Sequence, residues 1–461
     1  MVDEVEVARE DAGLRRSLKN RHLQMIALGG IIGASLFIGS GAVISTVGPA
    51  AVLSYALGGL IVVLVMRMLG EMATAQPTLG SFMEYARASL GDWAGFTIGW
   101  LYWYYWVGVV AFEAVVGAEL LNPLVPVVPQ WVLSLVLMLA LTTTNLISVR
   151  SFGETEFWLA SIKVITIVIF LLCGTIFVLG LWPGAELSVG NIAQDGFVAN
   201  GWFAVLHGVV IVIFSYFGTE IVTIVSAESD EPERSVAKAT KAVVWRVLLF
   251  YVGSVALLVM ITPWREIPTD GSPYAAAFTR FGLPAAEVAV NVVVFTAVIS
   301  VLNSGLYTAS RMLFALQRRG FAPSWVRDVN RRGVPWKSIL LSTLIGYVAV
   351  AASYVSPDAI FYFIINSAGA VALFIYAIIA ASQLRMRRRL EQEAPERLKL
   401  KVWLFPYLTW ATLVVIGAVI ITMGTIEEVR SQLTLSLVSL GAILLVYLLF
   451  VRPWLARRRS G

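Results

Sequence analysis

Apolar residues gather into twelve long blocks along the chain, at about 23–46, 49–74, 94–120, 130–148, 155–181, 202–228, 240–263, 285–314, 338–355, 359–384, 402–424 and 432–451. Each is near the ~20 residues that an α-helix needs to cross a bilayer. A porin-type barrel would instead alternate apolar and polar positions. The pattern predicts an all-α integral membrane protein of twelve transmembrane helices. No polar stretch between blocks is long enough for a soluble domain.

Two blocks carry patches that break a helix: GGIIGASLFIGSG at residues 29–41 and FSYFGTE at 214–220. Unwound chain at membrane depth survives only when it is buried in protein or lines a wet cavity. Paired breaks in corresponding positions of two halves mark a transporter's binding site. With segments 1–5 as one half and 6–10 as the other, the broken helices are the first of each half. Five is odd, so the halves enter the membrane from opposite sides, as a five-plus-five inverted repeat does. The expected organisation is a tail (1–20), a transport core (21–384), a loop with helices 11 and 12 (385–452) and a second tail (453–461). Packing or contact with a second copy, giving a homo-oligomer, is what remains for helices 11 and 12.

Composition agrees, with 58% hydrophobic and 14% charged residues, against about a quarter charged in soluble domains. The net charge of +5 could suggest nucleic acid. Its distribution refutes that: of 34 Lys and Arg, thirty fall on the side of the N-terminus, three opposite, and Lys163 inside a span. This is the positive-inside bias, so both termini are expected in the cytoplasm and the chain in the inner (plasma) membrane. The first ~20 residues have no apolar core, so no cleaved leader is expected. Cys173 is alone and reads as a small buried apolar residue. His22 and His207 lack metal-ligand spacing, and GASLFIGSG lacks the Lys-Ser/Thr ending of a nucleotide loop. No metal or cofactor is expected.

In segment 1, freed amides at Gly33, Ala34 and Ser35 would face an anion at the positive end of a half-helix, and a carboxylate is the natural guest. Close helix packing through Gly29, Gly33, Ser35 and Gly39 is the other reading, and segment 1 alone does not separate them. Segment 6 favours the site. Carbonyls freed at residues 214–217, at the negative end of a half-helix, would accept from an ammonium group. Together the breaks suit an amino acid or close analogue. Glu220 is either a proton carrier or fixed charge, or a first-turn acid on the second half-helix.

Lys163, in FWLASIKVITIVIF, is a base inside a span. Such groups default to function, with snorkelling to the inner surface as the alternative. Glu113 in segment 3 is a proton relay, a neutraliser of a partner cation, or a structural hydrogen bonder. Glu119 is expected at the outer interface. The run Trp100, Tyr102, Trp103, Tyr104, Tyr105, Trp106 reads as an interfacial belt rather than a substrate cage. SAESDEPERSVAKATKAV, with Pro232 at a helix start, reads as a solvated helix cap.

RHLQMIALGGIIGASLFIGSG, GEMATAQPTLGSFMEYA, FGETEFWLASIKV, FSYFGTEIVTIVSAESDEPERSVAKAT, LNSGLYTASRMLFALQRRGFAP and ASQLRMRRR reach from about residue 20 to 410. On these stretches the chain resembles the amino acid–polyamine–organocation superfamily. It is most similar to the bacterial amino acid permeases that include γ-aminobutyrate permeases. The resemblance implies alternating access and proton-coupled uptake. It places the substrate carboxylate on amides of Ala34 and Ser35, and the amine on carbonyls of Ile31, Phe214, Ser215 and Phe217. It puts Lys163 between segments 1, 5 and 8, where sodium-driven relatives hold their ion. The chain departs from the family at Ser35, where Gly is usual, and at Ala34, where Ser or Thr is frequent.

The expectation is therefore a secondary transporter importing γ-aminobutyrate or a related ω-amino acid with a proton. The alternatives are a permease for another neutral or aromatic α-amino acid, or an obligate exchanger. An ion channel would want a filter repeated about an axis, which two unlike breaks do not give. An enzyme would need clustered acid/base or metal groups, and none is evident.

Overall fold

The computed structural model describes residues 20–29, 32–78, 80–185, 189–192, 196–226, 232–269, 271–283, 285–354 and 369–460. Ile31, the start of segment 10 and Glu231 lie outside them. Every regular element among the described residues is helical.

α1 (Asn20–Gly29) stops at the first glycine cluster. Helix resumes as α2 (Ala34–Phe37) and, after a turn at Ile38, α3 (Gly39–Val47). α4 (Ala51–Ala75), the short α5 (Phe82–Leu90), α6 (Asp92–Leu121), α7 (Gln130–Ile147) and α8 (Val149–Val178) complete the first half. The second half opens with α9 (Gly201–Tyr216), broken before α10 (Ile221–Val225). α11 (Pro232–Trp245) runs through π-type turns at Arg246–Gly253 into α12 (Ser254–Ile261), followed by α13 (Pro273–Arg280). Then come α14 (Ala286–Arg318), α15 (Trp336–Ser353) and α16 (Val371–Glu393). α17 (Tyr407–Thr425) and α18 (Glu427–Val446) follow, and α18 continues through a π-type stretch into α19 (Arg452–Ser460).

Among the described residues nine helical runs are long and apolar enough to cross a membrane. One of them, Ala34–Ala75, joins the ends of two predicted blocks, and Trp336–Ala352 is a shorter apolar helix. α16 is apolar for its first half only. Its last turns are charged and continue beyond the predicted block because Arg387 pairs with Glu391 and Arg389 with Glu393 one turn on.

Packing repeats between the halves. α6 lies on α7 as α14 lies on α15, and α8 contacts α12 and α14 as α16 contacts α4 and α6. α6 and α14, the third helix of each half, cross at the centre. This is the five-plus-five arrangement. Lipid tails are as apolar as leucine, so the outer faces stay apolar: Ile165, Leu172, Val292, Ile421 and Phe450 are all exposed on the bundle surface. Hydroxyls on these faces are satisfied by their own helix. Thr143 donates to the carbonyl of Leu139 at 2.7 Å and Thr166 to that of Ile162 at 2.9 Å.

Side-chain links join helices at the end carrying the basic loops. Glu84 on α5 accepts from Arg87 at 3.1 Å and from Arg319, just past α14, at 2.6 Å. Ser81 and Thr223 share a hydrogen bond of 2.7 Å, joining the loop before α5 to α10. Arg21 on α1 pairs with Glu154 on α8.

Candidate functional site

Both breaks sit inside the bundle. Gly33 is the residue before α2, with extended backbone (φ −112°, ψ −167°), and no side chain caps the helix start. Leu36 and Ile38 are the first amides to turn back, onto the carbonyls of Gly33 and Ala34 at 3.2 and 2.8 Å. The amides of Ala34 and Ser35 belong to the first turn, which has no intrahelical acceptors.

The second break is more heavily braced. Gly218 takes φ +103°, where a side chain would be strained. Its amide donates to both carboxylate oxygens of Glu220, at 3.0 and 3.1 Å. Thr219 donates through Oγ1 to the carbonyl of Tyr216 at 2.6 Å and accepts from Arg246 Nη2 at 2.8 Å. Tyr251 donates to the carbonyl of Ser215 at 3.1 Å, and the Phe217 amide to that of Phe214 at 3.3 Å. The sequence places Arg246 with the basic loops. It is buried instead: it lies within the block at 240–263, and its guanidinium reaches inward to Thr219.

A cavity of about 520 Å³ lies between the breaks, within the range of small-molecule sites. Gly33, Ala34 and Ser35 line it from one side and Phe214, Ser215 and Phe217 from the other, with Glu113 in the wall. Seven of the predicted site residues thus meet in one chamber. Glu220 and Lys163 are fully buried but do not line it. Glu220 spends its carboxylate on Gly218, and Lys163 Nζ donates to Ser300 on α14 at 2.7 Å. Lys163 therefore lies between segments 5 and 8 and does not snorkel.

The chamber opens away from the basic loops, where its wall consists of Glu119, Leu120, Gly369, Val429 and Gln432. The last two belong to α18, so a helix outside the repeat helps to build the mouth. Gly39 also lines the chamber, and a Cβ built there would meet nothing within 4 Å. Open space, not close packing, explains this glycine. Gly39→Leu should keep the thermal stability of the protein in detergent while lowering uptake at least roughly tenfold. A large loss of stability with uptake retained in the surviving fraction would contradict this.

Half of the aromatic run is not an interfacial belt. Tyr102, Tyr105 and Trp106 are buried, and Tyr105 and Trp106 line the chamber. Tyr105 packs edge-on against Phe217 with ring centroids 4.4 Å apart, and Tyr102 lies 5.9 Å from the same ring. The cause is enclosure: α5, α14, α15 and α7 surround α6, so these rings meet protein instead of headgroups. The helical spacing of 102, 105, 106, 109 and 113 carried that signal.

Glu156 was also missed. It is fully buried on α8, where Ser300 donates to one carboxylate oxygen and Asn303 to the other, the latter at 3.2 Å. Its place seven residues before Lys163, on the same helix face, was legible. Among the described residues no group of three or more His, Cys, Asp or Glu could hold a metal ion.

Known proteins of similar sequence and fold point to one family. Residues 22–459 match the model of the amino acid permease family. A γ-aminobutyric acid permease of Bacillus subtilis is 48% identical over 441 residues, covering 95% of this chain and 94% of that protein. The γ-aminobutyric acid permease of Escherichia coli K12 is 46% identical, covering 88% of each chain. The aromatic amino acid transport protein of the same strain is 38% identical, covering 89% of this chain and 90% of its own. Among solved structures, a manganese transporter of Eremococcus coleocola superposes with a TM-score of 0.54 at 13% identity, covering 96% of this chain and 95% of that one, a likeness of fold alone. The chain is a multi-pass membrane protein that belongs to the amino acid permease family.

Proposed function

We propose that this protein is a proton-coupled importer of γ-aminobutyrate or a related ω-amino acid, in the inner membrane with both termini cytoplasmic. The observation that carries the reading is the single chamber shared by the two helix breaks. Uncapped amides at Ala34 and Ser35 suit a carboxylate, and the end of α9 at Phe214, Ser215 and Phe217 suits an ammonium. With the basic loops inside, the chamber would face outward, which supports reading the structure as a loading conformation of an alternating-access cycle. Similarity to γ-aminobutyric acid permeases at 46–48% identity supports the substrate. Lys163, packed where α8 meets α14, and Glu113, in the chamber wall, are the groups assigned to proton coupling.

A zwitterion with one proton carries a net charge of +1, so uptake would gain about 2.3 kcal/mol per 100 mV of membrane potential in addition to the pH gradient. Proteoliposomes with an alkaline interior should accumulate labelled γ-aminobutyrate, faster when the interior is negative. Uptake only into vesicles preloaded with amino acid would replace this reading with obligate exchange.

The ring-rich wall (Tyr105, Trp106, Phe112, Phe214, Phe217) favours an aromatic α-amino acid as the second reading. A competition panel against labelled γ-aminobutyrate separates the two. Phenylalanine or tyrosine competing better than ω-amino acids of three to five carbons would select the second.

A further inference from the structure

Behind the chamber wall, α8 and α14 share a buried polar chain. Ser300 Oγ accepts from Lys163 Nζ at 2.7 Å and donates to Glu156. Asn303 holds the other oxygen of Glu156, and is itself held by Asn145 of α7, whose Nδ2 donates to its Oδ1 at 2.9 Å. All five side chains are buried.

Each end of this chain is defined. One turn further toward the basic loops along both helices, Phe152 and Tyr307 stack face to face, centroids 4.0 Å apart and planes 11° from parallel. Both rings are buried, and the Arg311 guanidinium covers Tyr307 at 4.0 Å. On the chamber side stands Glu113, 6% exposed, whose Oε2 makes no hydrogen bond among the described residues. Glu156, Glu113 and Arg246 are the charged groups near enough to act on Lys163.

We propose that Glu156 is the inner proton acceptor of the transport cycle, reached from Lys163 through Ser300, with the Phe152–Tyr307 stack closing its exit while the chamber faces outward. The inference rests on the proton-coupled reading above. Lys163 gives a proton to the Ser300 oxygen as the hydroxyl proton of Ser300 passes to Glu156. One N–H and one O–H bond break and two O–H bonds form, so an ammonium–carboxylate pair becomes an amine and a carboxylic acid at constant total charge. Lys163 regains its proton from the chamber side, where Glu113 stands in the wall. Parting of the stack lets Glu156 release its proton to water at the basic end. No other reactant is needed.

The test uses the full chain in proteoliposomes, with an entrapped pH dye and labelled γ-aminobutyrate. The wild-type arm reports on the underlying reading. If wild-type protein imports no protons with the amino acid, coupling itself is wrong and the inference falls with it. Given a coupled wild type, Glu156→Gln and Ser300→Ala should keep counterflow exchange within about twofold but lose proton influx and accumulation by more than about tenfold. Glu156→Asp should restore part of both. Two results overturn the inference while leaving coupling intact. One is accumulation within about twofold of wild type in both Glu156→Gln and Ser300→Ala. The other is loss of counterflow in parallel with accumulation in both, without rescue by Glu156→Asp, which would make the chain a structural clasp.

Discussion

Lys163→Ala should abolish concentrative uptake while leaving exchange of labelled for unlabelled amino acid. Exchange needs only the chamber and its alternating access, and Lys163 does not line the chamber. In the coupling proposed above, concentration needs a proton to be carried on each inward passage and released before the return. Without the ammonium group, Ser300 has no proton to pass on and the buried Glu156 has no cation to face. The buried Glu156 would lose the cation that faces it across Ser300, so yield of folded protein should fall as well. The double variant Lys163→Ala/Glu156→Gln separates the effects: it should recover much of the thermal stability and none of the coupling. Proton-driven accumulation by Lys163→Ala at the wild-type level would remove Lys163 from the mechanism.

The largest expected loss of stability comes from Glu71→Ala. This carboxylate, 1% exposed on α4, accepts from Gln383 Nε2 at 2.8 Å, Arg387 Nη1 at 2.6 Å and the amide of Val402 at 2.5 Å. Thr409 Oγ1 donates to Gln383 at 3.0 Å, so the cluster fastens α4, α16 and the approach to α17 together. Alanine would leave two buried donors without their acceptor and the mostly buried Arg387 guanidinium with the more exposed Glu391 as its remaining carboxylate, a loss of about 3–5 kcal/mol. The melting temperature in detergent should drop by several degrees, with Glu71→Gln intermediate because one oxygen acceptor survives. A shift below about 2 °C for Glu71→Ala would show that water already satisfies these groups.

The helical class, the approximate segment positions and both breaks were legible because they depend on local physics: run length, glycine clusters and an acid within an apolar span. The meeting of Gly33–Ser35 with Phe214–Phe217 followed from the parity of the halves. What escaped depends on which helix lies against which. In a bundle whose lipid-facing and protein-facing surfaces are both apolar, amphipathic periodicity fades, and the faces bearing Glu71, Glu156 and Arg246 are marked only by those residues. Half of the aromatic run on α6 was misassigned for the same reason, since depth from the surface was legible and enclosure by four neighbours was not.

Val429 and Gln432 give the mouth of the chamber a wall that has no counterpart in the repeated halves. In the proposed orientation, a solute arriving from outside would pass α18, a surface that the repeated halves do not supply. Entry and exit become chemically separate, and a bulky analogue that wedges against α18 would block the protein from one side of the membrane only.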